Sequence, residues 1–387
     1  MRPANLLGPL PMNVLALEPY HGGSHAAFLD GWARRSRHAI TRLTLPAHHW
    51  KWRMRQAAVT FAERADELLR NGVAFDAVWG SSMLDLAAFR GLAAEPVRDR
   101  PAVLYFHENQ LTYPDPRRDE RDVHFAITHV TSALAAIRSG GGVWWNSAYH
   151  RDAFLGALDP LLKTMPGREL DHAPRRIREH SLVLPPGIDL PSASPRASPH
   201  TSPHGAQNGG GNDPLRIVWA ARWEHDKGPE LLEQTLDALD ARGIDFRIDV
   251  LGESFAHRPA AFDRIRAKHR DRIGRFGYAA DRDAYLAALA EAHVFLSTAE
   301  HEFFGIAAME AASVGCRIAA PRGLAYEEVF GDAATYHAAT PASAADAVMT
   351  AAEGGEAGAR QAAARHAWES RVPELDDAVA GLVEVGA

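Results

Sequence analysis

The sequence has almost no cysteine: one thiol, Cys316, in 387 residues. No intramolecular disulfide can form, which excludes the disulfide-scaffold class and leads to the expectation of a reducing, cytoplasmic compartment. The thiol ends the run Ala311-Ala312-Ser313-Val314-Gly315-Cys316 and reads as a core residue rather than a nucleophile. Also lacking is any apolar stretch of roughly 18 residues, so no transmembrane helix is expected, and no stable membrane association. The opening residues Met1 to Pro11 carry early prolines and no basic segment leading into an apolar core, which argues against a secretory signal. No Asp-x-Asp occurs in a suitable loop, so neither metal nor cofactor is expected. No internal repeat stands out. Strong net charge is missing as well: the formal charge is −7, with 46% hydrophobic and 24% charged residues, an ordinary globular composition.

The charge that is present is unevenly placed. The first 190 residues sum to about +3 and the remainder to about −10. Basic clusters lie at Arg34-Arg35-Ser36-Arg37-His38, His48 to Arg55, Arg117-Arg118 and Arg175-Arg176-Ile177-Arg178. Singly, each is a solvated surface; together they permit a phosphate-rich partner on the first half. The acidic second half makes a poor polyanion platform.

Length alone suits two domains. Residues 191–213 are rich in Pro, Ser, Gly and His without apolar periodicity, the composition of a flexible linker. On each side of it apolar runs alternate with helical patterns. Strands are expected at Met12–Glu18, Ala39–Leu45, Ala74–Gly80, Ala102–His107, Gly142–Asn146 and Ser181–Leu184. Beyond the linker they are expected at Leu215–Ala221, Phe246–Gly252, Val294–Ser297, Arg317–Ala320 and Thr335–His337. This alternation predicts an α/β fold with two Rossmann-like, doubly wound parallel sheets, residues 1–190 and 214–387, facing a cleft. Ligands of such sheets bind at the carboxyl ends of strands. The last helical stretch, about Arg360 to Val385, is expected to return to the first domain.

The sharpest chemical signal is His301-Glu302-Phe303-Phe304-Gly305-Ile306-Ala307-Ala308-Met309-Glu310. A strand runs into a loop and then a helix starting near Gly305. A helix N-terminus presents unpaired N–H groups and a partial positive charge, both suited to a diphosphate. Phe304, Gly305 and Ile306 would bring backbone to it. Glu302 and Glu310 lie on either side, where carboxylates can accept hydrogen bonds from sugar and ribose hydroxyls; the bland alternative is one capping and one solvated acid. The second signal is Arg222-Trp223-Glu224-His225-Asp226-Lys227-Gly228, after the first strand of the second domain. Arg222 and Lys227 can neutralise the charge that grows on a nucleoside-diphosphate leaving group.

In the first domain, Glu18-Pro19-Tyr20-His21-Gly22-Gly23-Ser24-His25 ends the opening strand. Gly22 and Gly23 let backbone amides approach a donor; a plain βα turn is the alternative. His107 stands at a strand end, where it can bond a sugar hydroxyl or help stabilise departing charge. Trp50-Lys51-Trp52-Arg53-Met54-Arg55 interleaves aromatics with cations, a pattern for stacking bases and meeting phosphates. The opposing reading makes Trp50 and Trp52 core residues. Asn109, Asn146 and Arg151 are further candidates for the acceptor side.

The Arg222/Lys227 pair followed by Glu302-x7-Glu310 resembles the second half of retaining glycosyltransferases of the GT-B fold. The strings Glu18–His25, Leu43-Thr44-Leu45-Pro46, Trp50–Arg55 and Phe106-His107-Glu108-Asn109-Gln110-Leu111-Thr112-Tyr113-Pro114 resemble the tRNA-queuosine α-mannosyltransferase family. The resemblance spans nearly the whole chain except residues 191–213, a departure that interrupts no motif. It implies a GDP-mannose donor and, as acceptor, queuosine at the wobble position of tRNA(Asp). It also implies that Arg222 and Lys227 hold the diphosphate, Glu310 the ribose and Glu302 the donor sugar. From its place at a strand end, His107 is expected to contribute to catalysis from the first domain, beside Glu302. Two rivals stand beside this reading. One is a glycosyltransferase for a lipid or cell-wall acceptor; the other is a non-catalytic tRNA- or nucleotide-binding module. The sequence is silent on oligomeric state.

Overall fold

A computed structural model describes residues 10–114, 123–191, 213–254 and 258–384. Arg117-Arg118 and nearly all of the segment read as a linker lie outside the described residues. The chain divides into two compact units: residues up to Gly187 together with those from Trp368 onward, and residues Ile188–Ala367.

The first unit holds six strands: β1 (Asn13–His21), β2 (Ala39–Pro46), β3 (Ala77–Ser81), β4 (Ala102–Phe106), β5 (Gly142–Trp145) and β6 (Ser181–Val183). They form one parallel sheet in the order β2-β1-β3-β4-β5-β6. The second unit holds β7 (Leu215–Ala220), β8 (Phe246–Leu251), β9 (Ile273–Gly277), β10 (Val294–Leu296), β11 (Arg317–Pro321) and β12 (Ala334–His337). This sheet is also parallel, in the order β12-β11-β10-β7-β8-β9. Central strands such as β3, β4 and β5 are buried at every position. Helices cover both faces, so these strands read as continuous apolar runs rather than alternating ones.

In each sheet the order reverses once, between β1 and β3 and between β7 and β10. Loops leaving the two strands there turn to opposite faces and open a crevice at the strands' carboxyl ends. Those positions decide where the site can be.

Three departures from the sequence expectations have physical causes. β9 was not expected: Ile273-Gly274-Arg275-Phe276-Gly277 is short, carries two glycines and an arginine, and lies at a sheet edge. The second helix spans Trp50–Arg70 and so takes in the aromatic–cation segment, whose conformation the sequence had left open. Trp50–Arg55 is therefore helical, with Trp50 and Met54 turned towards Met83 and Phe125. The C-terminal stretch is two helices. Ala357–Arg365 stays in the second unit, while Trp368–Glu384 packs in the first. Trp368, Val372, Leu375 and Val379 complete a cluster with Val14, Phe28, Trp32 and Trp79. Asp376 anchors that helix, accepting from Trp32 Nε1 at 2.8 Å, Ser36 Oγ at 2.6 Å and the Arg37 N–H at 2.8 Å. Among the described residues, no helix is long and apolar enough to cross a membrane.

Candidate active site

The second unit assembles its candidate residues at the β7/β10 reversal. One loop follows β7 and ends in the short 3-10 turn His225–Lys227; the other follows β10 and ends at Gly305. The two loops are laced together. Thr298 Oγ1 donates to the Lys227 carbonyl at 2.9 Å and accepts from Trp219 Nε1 at 2.9 Å. The N–H groups of Glu300 and His301 both donate to the Asp226 carbonyl, at 2.9 and 3.2 Å. Gly228 makes this approach possible: its φ is +63°, and a Cβ there would stand 2.0 Å from the Thr298 carbonyl oxygen. A side chain at that position would force the loops apart.

The lacing delivers Lys227 to Glu302. Lys227 Nζ lies 3.3 Å from Glu302 Oε2 and 3.0 Å from Asp226 Oδ2, and donates to the His301 carbonyl at 3.0 Å. Only 11% of the lysine side chain is exposed. Burial works against its charge, but Glu302 and Asp226 outweigh burial and hold its pKa above the ordinary lysine value. Glu302 answers in kind. Burial raises its pKa, and Lys227 together with the Phe304 N–H more than reverses this, so the carboxylate is held below its usual range. Both groups are thus charged throughout the neutral range. Asp226 carries no signature in the sequence, because its role is set by a loop that arrives from β10.

Glu302 also reaches the helix Ile306–Ser313. Its Oε1 accepts from the N–H groups of Gly305 at 3.2 Å and Phe304 at 3.4 Å. Two of the amides expected to face a diphosphate are therefore bonded to the acid itself. Gly305 caps the helix at φ +90°, and a Cβ there would lie 2.7 Å from the Tyr326 ring. Lys227, Glu302, Gly305, Ser297 and Tyr326 line one small pocket. Phe304 is buried in the core, so only its backbone is at hand, and Ile306 is half-buried. Arg222 is exposed, pairs with Glu224 at 3.2 Å, and its charge is felt at Lys227.

Glu310 is held at both oxygens. Arg282 Nη2 meets Oε1 at 2.6 Å and the Tyr285 hydroxyl donates to Oε2 at 3.0 Å. Burial, with Glu310 beside it, pushes the Tyr285 phenol well above its ordinary pKa, so it stays a donor. Arg282 and Tyr285 lie on the helix Arg282–Glu291, and nothing in their sequence spacing from Glu310 marks the contact.

In the first unit, Gly22 and Gly23 form the turn from β1 into the helix Gly23–Arg35. His107 follows β4 with its side chain buried among Phe28, Tyr105, Trp79 and His25. Burial, then the neighbouring His25 and His150, hold its pKa well below the histidine range, so the ring is neutral. Asn109 and Asn146, read as acceptor contacts, are buried in one network. Asn109 Nδ2 lies 3.0 Å from His150 Nε2, and His150 Nδ1 lies 2.8 Å from Asn146 Oδ1. Asn146 Nδ2 donates to the His107 carbonyl at 2.9 Å, and Asn109 Oδ1 accepts from the amides of Leu111 and Thr112. Their side chains shape the loop that carries His107. Trp144 and Trp145 are core residues.

The aromatic–cation segment splits by helical geometry. Trp50 packs 5.0 Å from Phe125, whereas Trp52 is 67% exposed. Lys51 lies over the Trp50 ring and Arg55 over Phe125, and both are exposed. Arg53 is tied to the Pro46 carbonyl and to His48. Trp52, Lys51 and Arg55 therefore remain as surface groups at the start of one helix.

Comparison with known proteins gives a consistent picture. Residues 13–188 match the family described as tRNA-queuosine alpha-mannosyltransferase N-terminal, and residues 205–367 match the glycosyl transferases group 1 family. A tRNA-queuosine alpha-mannosyltransferase of Drosophila melanogaster is 33% identical over 325 residues, covering 82% of this chain and 81% of the fly protein. Among solved structures, Anabaena HepE in complex with UDP superposes with a TM-score of 0.64 at 15% identity, covering 96% of this chain and all of the other. Sucrose-phosphate synthase from Thermosynechococcus elongatus superposes with a TM-score of 0.65 at 14% identity, covering 96% of this chain and 99% of its own. These likenesses show the GT-B fold.

Proposed function

The chain belongs to the tRNA-queuosine alpha-mannosyltransferase family and is a glycosyltransferase; from that premise we propose that it moves mannose from GDP-mannose to queuosine at the wobble position of tRNA(Asp), with retention at the anomeric carbon, in the cytoplasm. The observation that carries the chemical part is the convergence of Lys227, Glu302 and the capped helix start at Gly305 on one pocket at the β7/β10 reversal. A buried, charged lysine with two carboxylate partners is fixed before substrate arrives, so little reorganisation is needed when charge develops on the departing diphosphate. Arg222 adds a second cation from the same loop. In this reading Glu302 meets the donor sugar and Glu310 the ribose. The acceptor hydroxyl attacks from the face the diphosphate leaves, and a leaving phosphate oxygen takes the proton. The two cations supply the neutralisation, and the proposed reaction runs without a metal. Trp52, with Lys51 and Arg55 beside it, offers a stacking face and phosphate contacts to an anticodon loop.

The decisive experiment incubates the protein with GDP-mannose and tRNA bearing queuosine, then analyses the released nucleosides by mass. Gain of one hexose on queuosine, and none on tRNA carrying guanosine at that position, is the expected result. Hexose transfer only from a uridine nucleotide sugar, or only to a lipid, would overturn the donor or the acceptor assignment respectively.

The ribose assignment has its own test. Tyr285→Phe removes one hydrogen bond to a charged group without changing the ring. Such bonds contribute about 1.5–3 kcal/mol. Because that bond already holds Glu310 in the ligand-free protein, its loss acts through the carboxylate's orientation: the donor KM and the GDP dissociation constant should rise by up to about tenfold, with kcat within about twofold because the ribose contact is made equally in ground and transition states. Calorimetric titration with GDP checks it; unaltered affinity would remove Glu310 from the nucleotide site.

A further inference from the structure

The β1/β3 reversal of the first unit carries a second cluster that the donor chemistry does not use. Glu18 is fully buried at the end of β1. Its Oε1 accepts from the Tyr20 N–H at 2.8 Å and from Ser81 Oγ, at the end of β3, at 3.0 Å. Its Oε2 faces His25 Nδ1 at 3.1 Å, from the first turn of the helix after Gly22-Gly23, and stands 3.9 Å from His107 Nε2. The His25 ring lies against the His107 ring, with centroids 4.2 Å apart and planes tilted by 37°. His107 Nε2 is buried and has no hydrogen-bond partner among the described residues.

A carboxylate and two imidazoles within reach of one another raise the question of a metal site. The ring geometry favours a hydrogen-bonded cluster. Two imidazoles bound through nitrogen at about 2.1 Å to one tetrahedral ion would hold their centroids roughly 5 Å apart, splayed from the shared ion. Here the rings face each other more closely than that, and the Glu18–His25 separation is that of a hydrogen bond. With Glu18 Oε2 as the acceptor, the His25 ring carries a proton on Nδ1.

We propose that Glu18 and His25 form a positioning dyad for His107: the buried carboxylate fixes the His25 ring with its proton on Nδ1, and that ring sets the orientation of His107 for glycosyl transfer. The proposal deepens the functional reading above and rests on it. Among the described residues, polar groups near the pair include Glu18 and Tyr20 from β1, Ser81 from β3, Tyr105 from β4, and His150 from the helix Ala148–Thr164, whose charge acts on His107. None of them replaces the carboxylate as an acceptor for His25 Nδ1. His107, neutral by burial, serves as a hydrogen-bonding group whose value depends on where it points.

Glu18→Gln tests this. The amide oxygen can still accept from Ser81 and the Tyr20 N–H, while the NH2 that replaces Oε2 can only donate. In the wild-type protein, proton–nitrogen NMR correlation of labelled histidines should show His25 protonated at Nδ1; in Glu18→Gln it should show the Nε2 tautomer. The variant should lose about tenfold to a hundredfold in kcat, by analogy with the loss of carboxylates that orient metal-bound histidines, with donor KM within about twofold. Undiminished GDP affinity and an unchanged melting temperature show that the fold persists. A wild-type spectrum with the Nε2 tautomer, an unaltered kcat in the variant, or one equivalent of transition metal in purified protein that His25→Ala removes, each overturns the dyad. Should the variant not fold, the wild-type spectrum and metal content decide. Should no sugar transfer be found with any acceptor, the functional reading fails while the spectrum still reports on the dyad.

Discussion

Lys227→Ala is expected to lower kcat by about a hundredfold to a thousandfold, the range observed when one preorganised donor is removed from a site of developing negative charge. The lysine is buried, it is charged, and it is already held by Glu302, Asp226 and the His301 carbonyl. Its removal does two things at once. It takes away the cation that meets the leaving group, and it leaves the buried Asp226 and the half-buried Glu302 without the lysine, Glu302 keeping only its amide donors at Phe304 and Gly305. The second effect destabilises the protein by itself, since breaking a buried pair strands the remaining charge. A double variant separates the two. Adding Glu302→Gln should restore part of the lost melting temperature and none of the turnover. Single-turnover assays with donor and acceptor, alongside thermal melts, check both statements. An unchanged kcat in Lys227→Ala would show that the diphosphate is met elsewhere.

Trp368→Ala is expected to destabilise the first unit by about 3–5 kcal/mol, the range for deleting a large buried aromatic. The indole is nearly fully buried, and glycines press on it from two elements. A Cβ on Gly31 would fall 2.2 Å from the ring, and one on Gly187 2.3 Å from it. Arg35 lies over its face and Phe28 packs beside it. Neither glycine has a side chain that could move into the space an alanine would leave. The helix Trp368–Glu384 would also lose the residue that begins it, loosening Asp376 from Trp32, Ser36 and Arg37. Urea denaturation followed by far-UV circular dichroism measures the loss. A change under about 1 kcal/mol, the scale of a surface substitution, would show that the terminal helix adds little to this unit.

Much of the architecture was legible because it is written in local pattern. A buried parallel strand is an uninterrupted apolar run, and Val103-Leu104-Tyr105-Phe106 or Ile217-Val218-Trp219 permits no other reading between helical stretches. β9 escaped because an edge strand needs less apolar surface than a central one, and Arg275 satisfies Asp249 and Glu291 there instead of packing. The aromatic–cation segment was legible as chemistry but not as geometry. Only the 3.6-residue turn of the helix that begins at Trp50 decides that Trp50 goes inward while Trp52 stays out. Asn109 and Asn146 had the right residue type and the right strand ends, yet their amides are consumed by His150 and by the loop backbone.

By itself the sequence determined the two-sheet plan and singled out Lys227, Glu302, Gly305 and Glu310 as candidates, of which the structure brings the first three to one pocket. The plan and the candidates follow from spacing along the chain, which reports the period of an element and the turn that ends it. The tertiary structure alone decided which side chains answer those residues: Asp226 for Lys227, Arg282 and Tyr285 for Glu310, Glu18 for His25, and the first unit for Trp368. The meetings of Arg282 and Tyr285 with Glu310, and of Trp368 with the first unit, depend on how distant segments are brought together; Asp226–Lys227 and Glu18–His25 are near in sequence, and there the fold decides only which way the side chains turn. Through-space electrostatics and packing leave no period in a linear string, so their outcome exists only once the strands have taken their places.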